Sequence, residues 1–280
     1  MNYKNLTIYN FAVSYYLIRL FTIFWIGRQI SVYVKFSQRP QEFYEHTVWM
    51  QKLLMREYPS PEIYFSVIFI TVALLIYSLF KFSIWVNILL FLLTAYITLA
   101  SVGYIGLGHN NHVLVLTYFF SIFLNHKKMK TEDYRAVEIF YLGILITYSL
   151  AGLWKLVSVT KNFITENPEI SWFERDAAKY NSMLNYFIID QKMPIWMLEF
   201  YQYKELWIFL TIFGIICQTS CFLGAFNRKI LNLVLIFLVS FHLYTAYFVI
   251  ADWGIMKYGL IVLFFPYHHF SKWIDRIFKI

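Results

Sequence analysis

Charged residues are scarce in this chain. Only 14% of its 280 residues are Asp, Glu, Lys or Arg, whereas ordinary soluble domains contain roughly a quarter. Hydrophobic residues make up 60%, and the mean hydropathy is +0.55. Several apolar stretches reach the roughly 20 residues needed to cross about 30 Å of hydrocarbon. The scarcity of charge therefore argues against a soluble domain and predicts a polytopic membrane protein.

Cysteine and linker sequences are scarce too. Cys217 and Cys221 lie one helical turn apart in an apolar run, a spacing that suits a disulfide poorly, so we expect two small apolar side chains. The sequence has no internal repeat and no Gly/Ser-rich linker, which predicts a single transmembrane domain over residues 1–280. The first apolar run is too long for a cleavable signal peptide and lacks a small-residue cleavage site, so the first helix is expected to direct insertion.

The apolar runs predict an all-α fold of about eight transmembrane helices. Their expected positions are 11–34, 63–80, 82–101, 112–125, 134–157, 205–226, 230–250 and 253–268. The fourth and eighth are short for a perpendicular crossing and would need a thinned bilayer, close neighbours or interfacial flanks. The long connections 35–62 and 158–204 mix aromatic with charged residues. We expect amphipathic helices there, lying on the membrane surface or covering the mouth of a cavity.

The distribution of lysine and arginine predicts the orientation. Basic residues gather in the short loops on one side, such as the "HKKMK" segment, while the short loops near 102–111 and 251–256 contain none. Because short basic loops stay in the cytoplasm, both termini are expected there, with the two long loops outside. The net charge of +8 then results from the lysine and arginine residues that keep the short loops in the cytoplasm. The expected partner is membrane lipid, and no nucleic acid is expected.

Three ionisable residues are predicted at one level of the outer half of the membrane: Lys155 in "YSLAGLWKLVS", His112 in "GHNNHVLVLTYFF" and His242 in "LVSFHLYTAYF". A charge inside a membrane helix costs roughly 2.5–3.5 kcal/mol on insertion scales and points to function. Structural alternatives remain open for each. Lys155 could snorkel from a helix end, His112 could begin a helix at the interface, and His242 could form an interhelical hydrogen bond.

The sequence lacks the residue patterns that are typical of other kinds of functional site. His109 and His112 stand three residues apart, but no carboxylate or cysteine accompanies them at a standard ligand spacing, so no metal site is predicted. Paired carboxylates, a phosphate-binding glycine loop and a nucleophile next to a base are absent as well. Arg19 lies deep in the first predicted span and needs partners. Backbone carbonyls or polar side chains such as Gln218 are expected to provide them.

Three segments together resemble the vitamin K-dependent gamma-glutamyl carboxylase family. "NNHVLVLTYFF" resembles the Asn-Asn-His motif that opens a helix in that family, and "YSLAGLWKL" resembles its motif ending in a catalytic lysine. "SFHLYTAYF" resembles the Phe-His motif of a later helix. Their order and rough spacing agree, and the resemblance extends over about Tyr9 to Phe270. Related bacterial proteins that carry this horizontally transferred transmembrane domain share the pattern, including "EYPSPEIYF".

The resemblance implies a membrane enzyme that uses a reduced vitamin K-type quinone, with oxygen and carbon dioxide as co-substrates. It makes Lys155 the base that deprotonates the hydroquinone, with His112 and His242 as further catalytic residues. It also makes Asn111, Tyr148 and Gly152 contacts of the quinone. A lysine taken out of water loses part of its proton affinity and can act as a base near neutral pH.

Two departures from the family bear on the substrate. The family's carboxylases continue into a large extramembrane region that helps to recognise a propeptide, whereas this sequence ends at Ile280, and Trp154 stands where the family commonly has a second lysine. The expectation is therefore a carboxylase-like core that modifies a peptide or other substrate at the outer side of a bacterial cytoplasmic membrane. The alternative is a non-catalytic membrane factor that helps to mature or export a partner peptide, as in a short bacterial relative that serves a sporulation-delaying toxin peptide.

Overall fold

The computed structural model describes residues 2–46, 49–105, 111–165, 171–250 and 254–278. Every regular element within these ranges is helical, as expected from the apolar runs. The α-helices in chain order are α1 (Tyr3–Phe36), α2 (Trp49–Leu54), α3 (Pro61–Phe80), α4 (Ile84–Ile105), α5 (His112–Phe120), α6 (Tyr134–Thr165), α7 (Ala177–Ile188), α8 (Ile195–Phe200), α9 (Lys204–Thr219), α10 (Arg228–Phe248), α11 (Met256–Phe264) and α12 (Ser271–Phe278). Short 3-10 helices cover Gln41–Phe43, Thr131–Asp133, Ser220–Phe226 and Tyr267–Phe270.

Six helical stretches of the described chain are long and apolar enough to cross a membrane. They are Tyr3–Phe36, Pro61–Phe80, Ile84–Val102, Thr131–Asn162, Lys204–Phe226 and Arg228–Phe248. Each coincides with one of the predicted spans. Length and composition thus give the architecture expected of an integral, multi-pass membrane protein.

The fourth and eighth predicted spans contain much shorter helices than the other six. The first of these is α5, His112–Phe120, and the second is α11, Met256–Phe264, with 9 residues each. At 1.5 Å per residue each is only about 14 Å long. The predicted fifth span is longer than expected, because α6 continues to Thr165.

The chain divides into two compact units. The first comprises Met1–Phe140 together with Tyr258–Ile280, and the second comprises Tyr141–Lys257. In the first unit α1 packs against α3 and α4, and α4 packs against α5. In the second unit α10 packs against α9 and against the 3-10 helix that follows α9, while α7 packs against α9. The expectation of one transmembrane domain over residues 1–280 stays a prediction.

A buried arginine lies at the centre of the first unit. Arg19 is 1% exposed, and its guanidinium donates to the carbonyl of Tyr15, to Ser78 Oγ and to Asn87 Oδ1, each at 2.9 Å. Carbonyls and polar side chains were the expected partners. The expectation of Gln218 was wrong, because Arg19 takes its side-chain partners from α3 and α4, which pack against α1, and Gln218 belongs to the second unit.

The described part of the long connection 158–204 belongs to the second unit. It contains α7 and α8, and a small core forms there from Tyr186, Met197 and Tyr201 with Trp207 of α9. The other long connection, 35–62, contains the six-residue α2 and a turn of 3-10 helix in its described part. The expectation that amphipathic helices lie on the membrane surface or cover a cavity mouth stays a prediction.

Candidate functional site

The side chain of Lys155 lies on α6, in the second unit. Its Nζ donates to Gln218 Oε1 at 2.7 Å. The amine also lies 5.2 Å from the ring centroid of Trp172 and 5.3 Å from that of Phe241, within the range of cation–π attraction. Among the described residues, a neutral amide and two aromatic rings therefore contact Lys155 Nζ, and no carboxylate pairs with it.

Close packing of α6 against the end of α9 brings Gln218 to Lys155. A Cβ atom on Gly152 would lie 2.5 Å from the backbone nitrogen of Thr219, so only glycine permits this approach. One turn earlier, Ser149 Oγ accepts a hydrogen bond of 2.9 Å from the backbone N–H of Phe222. Because α9 gives way here to 3-10 helix, its backbone groups need such outside partners. We call these three contacts of α6 the seam.

The two cysteines lie in the same stretch. Cys217 and Cys221 are both free, as their spacing predicted. Cys221 is fully buried and its Sγ lies 3.3 Å from the carbonyl oxygen of Cys217. They act here as small packing residues of the helix end.

Lys155 borders a cavity of about 380 Å³ within the second unit. Its walls come from α6, α7, α8, α9 and α10 and from the segment before α7, and its aromatic lining consists of Trp172, Phe200, Trp207, Phe213, Phe237, Phe241, Tyr244 and Phe248. Among the described residues that line it, Lys155 alone carries a charge. The volume lies in the usual range for small-molecule sites, and an apolar lining with a few polar groups is typical of them.

A chain of hydroxyl groups reaches this cavity at Tyr244. Ser182 Oγ and Tyr201 OH lie 2.6 Å apart, and Tyr201 OH lies 3.4 Å from the hydroxyl of Tyr244, which lines the cavity. The indole N–H of Trp207 donates to the carbonyl of Phe200 at 3.0 Å. Trp207 of α9 and Tyr244 of α10 both form part of the cavity wall, because these two helices pack together.

Tyr148 and His242 lie together behind the cavity wall. His242 is fully buried in α10, and its ring centroid lies 5.9 Å from that of Tyr148, edge to face. The residues of α10 that line the cavity include its neighbour Phe241 and, one turn further on, Thr245. His242 is not among them and points instead to α6. The second unit thus holds Lys155, Gly152, Tyr148 and His242 of the predicted site.

Asn111 and His112 belong to the first unit. Asn111 precedes α5 and is buried, and its Oδ1 accepts a hydrogen bond of 3.1 Å from Trp25 Nε1. His112 is the first residue of α5. Gly108, His109 and Asn110, which complete the motif, lie outside the described residues. The roles predicted for Asn111 and His112 stay predictions.

A metal centre is not apparent in the described parts of the chain. They contain no group of three or more His, Cys, Asp or Glu side chains placed to hold a metal ion. Comparisons with protein-family models, with curated proteins and with solved structures found no match.

Proposed function

We propose that this protein is a carboxylase-like integral membrane enzyme in which Lys155 is the general base. The observation that carries the proposal is the placement of Lys155, the one charged residue among the described lining residues, in a mainly apolar, aromatic-walled cavity. The order of the three sequence motifs supports the same chemistry. The substrate would be a peptide or other acceptor at the outer side of the membrane.

The proposed cofactor is a reduced prenylated quinone of the vitamin K type, bound in the cavity of the second unit. Aromatic side chains such as Trp207 and Phe241 are suited to contact a fused ring, and Lys155, which lines the same cavity, would meet a ring hydroxyl. When bound, the hydroquinone would supply the electrons for reaction with oxygen, and carbon dioxide would be the further co-substrate of a true carboxylase. The roles of the chain are to exclude water with the aromatic wall and to accept the hydroxyl proton at Lys155 Nζ.

Gln218 and Gly152 serve this step without touching the reacting atoms. The neutral amide oxygen of Gln218 orients the amine at 2.7 Å, and among the described residues no carboxylate pairs with Lys155 to hold the proton on it. Gly152 lets the two helices approach closely enough for that contact. The base is therefore positioned by the packing of α6 on α9.

The topology proposed with this function has eight membrane passages and both termini in the cytoplasm. The six long helices are supplemented by α5 and α11, which would pass through a thinned or protein-lined part of the bilayer. The lysine-rich short loops support this orientation. A bacterial cytoplasmic membrane is the proposed location.

The proposal is tested by incubating the reconstituted protein with a vitamin K-type hydroquinone, first without and then with oxygen. Mass spectrometry measures quinone epoxide, the product of base-initiated oxygenation. We expect epoxide from the wild type and none above background from Lys155→Met, which keeps the length of the side chain and removes the amine. Lys161→Met is the matched control, because Lys161 is an exposed lysine on the same helix.

Two outcomes would contradict the proposal. One is epoxide from Lys155→Met at the wild-type rate, since another group would then act as the base. The other is a folded wild-type protein that gives no epoxide with quinols of several tail lengths. That second result would favour the non-catalytic factor that binds a partner peptide.

A further inference from the structure

In the helix α7 of the second unit, the apolar face is exposed and the polar face is turned inward, which is the reverse of an amphipathic helix on a soluble protein. Five of its apolar side chains follow one another at i, i+3, i+4, i+7 and i+8 and are between 41% and 81% exposed: Tyr180, Met183, Leu184, Phe187 and Ile188. We call them the α7 stripe. A stripe with this spacing covers one face of a helix and is normally turned to the protein core. Here it is turned away from the rest of the second unit.

The polar face of α7 points inward instead. Ser182 is fully buried and shares a hydrogen bond of 2.6 Å with Tyr201 OH. Asn181 lines the cavity, together with Ala178 one turn earlier. Asn185 donates its side-chain N–H to the carbonyl of Asn181 at 2.9 Å. The side chains of Ser182 and Asn185 therefore bond within the protein, whereas the opposite face is apolar apart from the hydroxyl group of Tyr180.

Charged groups near α7 are confined to its ends. At the beginning, Asp176 accepts from Lys204 at 2.8 Å, and the neighbouring Arg175 pairs with Glu205. These two ion pairs tie the beginning of α7 to the beginning of α9, a membrane-crossing helix.

At the far end the chain turns through Asp190, whose φ is 53°, and the polar segment 190–192 follows. The charged residue within α7 itself, Lys179, lies in the first turn at the edge of the stripe. This pattern is that of a helix at the boundary of headgroups and acyl chains, with ionic ends in the headgroups.

We propose that the α7 stripe is immersed in the acyl chains of one membrane leaflet, so that α7 forms the partition between lipid and the Lys155 cavity. Two further observations support lipid as the occupant. Apolar side chains are also exposed on α8, where Ile195 and Trp196 are 75% and 57% exposed. The helix α9, which contacts α7, exposes Phe209 at 62%. An exposed apolar surface of this extent, joined to a membrane-crossing helix, is suited to hydrocarbon rather than water.

Photochemical crosslinking of the full chain in lipid vesicles tests this placement independently of the proposed chemistry. Benzoylphenylalanine replaces Leu184 or Phe187 in the stripe, each in a separate variant, in vesicles of phosphatidylethanolamine and phosphatidylglycerol. Phe209, on the exposed side of α9, is the lipid-facing control position, and Lys192, in the exposed turn after α7, is the aqueous control position. Intact-mass spectrometry after illumination counts adducts of lipid mass.

We expect lipid adducts at Leu184 and Phe187 in a yield comparable to that at Phe209, and several-fold fewer at Lys192. All four side chains are exposed, so replacing them leaves the packing intact. Lipid adducts at Phe209 with none at either stripe position would overturn the proposal. Adducts of twice the chain mass at the stripe would overturn it as well, because the occupant would then be a second copy of this protein.

Discussion

Lys155 donates its hydrogen bond to the neutral amide of Gln218 rather than to a carboxylate. Gln218 is itself only 5% exposed, so its oxygen is held in one place and needs this donor. The sequence motif pointed to Lys155, but nothing in it pointed to Gln218, which lies 63 residues further along the chain. A contact of this kind follows from how two helices dock, and one sequence does not reveal that.

Replacing Gln218 by leucine should impair the base without unfolding the protein. Leucine matches glutamine roughly in volume but cannot accept a hydrogen bond, so the amine loses its orientation. A hydrogen bond to a charged group is worth about 1.5–3 kcal/mol, which predicts a fall in kcat of about tenfold or more in the hydroquinone assay. KM and the melting temperature should stay close to those of the wild type. A fall in melting temperature that matches the loss of activity would show a structural role instead.

At the scale of elements, the seam between α6 and α9 determines where the lysine points. Ser149, Gly152 and Lys155 stand three residues apart and face the end of α9. In the sequence, Gly152 stands three residues before the lysine. The structure shows close packing at Gly152, because its missing Cβ leaves space for the backbone of Thr219.

Gly152→Ala should therefore be strongly disruptive for so small a change. The added methyl would meet Thr219 N at 2.5 Å and Thr219 Oγ1 at 2.6 Å, and the first of these is backbone that cannot rotate away. Overpacking of this kind costs typically about 1–3 kcal/mol, so we expect a lower melting temperature and reduced epoxide formation. Gly27→Ala is the matched control, since a Cβ there has no atom within 4 Å. Equal effects of the two substitutions would rule out steric conflict as the cause.

At the scale of the whole molecule, the burial of His126 near Arg19 predicts that acid lowers the stability of the first unit. His126 stacks on Tyr15 with ring centroids 3.8 Å apart and meets Tyr16 edge to face. Neither ring nitrogen has a hydrogen-bond partner among the described residues. Burial, helped by the positive charges of Arg19 and Lys127, lowers the pKa of His126 from 6.5 to about 3. The folded protein therefore holds this histidine neutral.

Stability should fall as the pH drops below about 6.5. In the unfolded chain His126 takes up a proton near its ordinary pKa of 6.5, whereas in the folded protein it resists protonation down to about pH 3. Acid therefore favours the unfolded state, by about 2 kcal/mol between pH 6.5 and pH 5. His126→Phe keeps an aromatic ring in the stack and removes the titration, so its melting temperature should depend less on pH over this range. The control is His269→Phe, at an exposed histidine, which should keep the wild-type dependence.

The sequence alone indicated that this protein lies in a membrane and that it is helical. Sixty per cent of its residues are hydrophobic and many stand in runs long enough to cross a membrane. Such runs fold as helices, because backbone groups in hydrocarbon must form their hydrogen bonds within their own helix. It also pointed to Lys155 and to the need of Arg19 for polar partners, since an isolated charge in an apolar run is costly wherever it lies.

Only the tertiary structure decided what surrounds those charges. The partner of Lys155, the aromatic cavity beside it and the outward face of α7 all depend on which helices pack together. An apolar stripe in a sequence has the same spacing whether it meets a core or a lipid. Which of the two it meets is set by the polar face opposite, and in α7 that face is bonded to the protein through Ser182 and Tyr201.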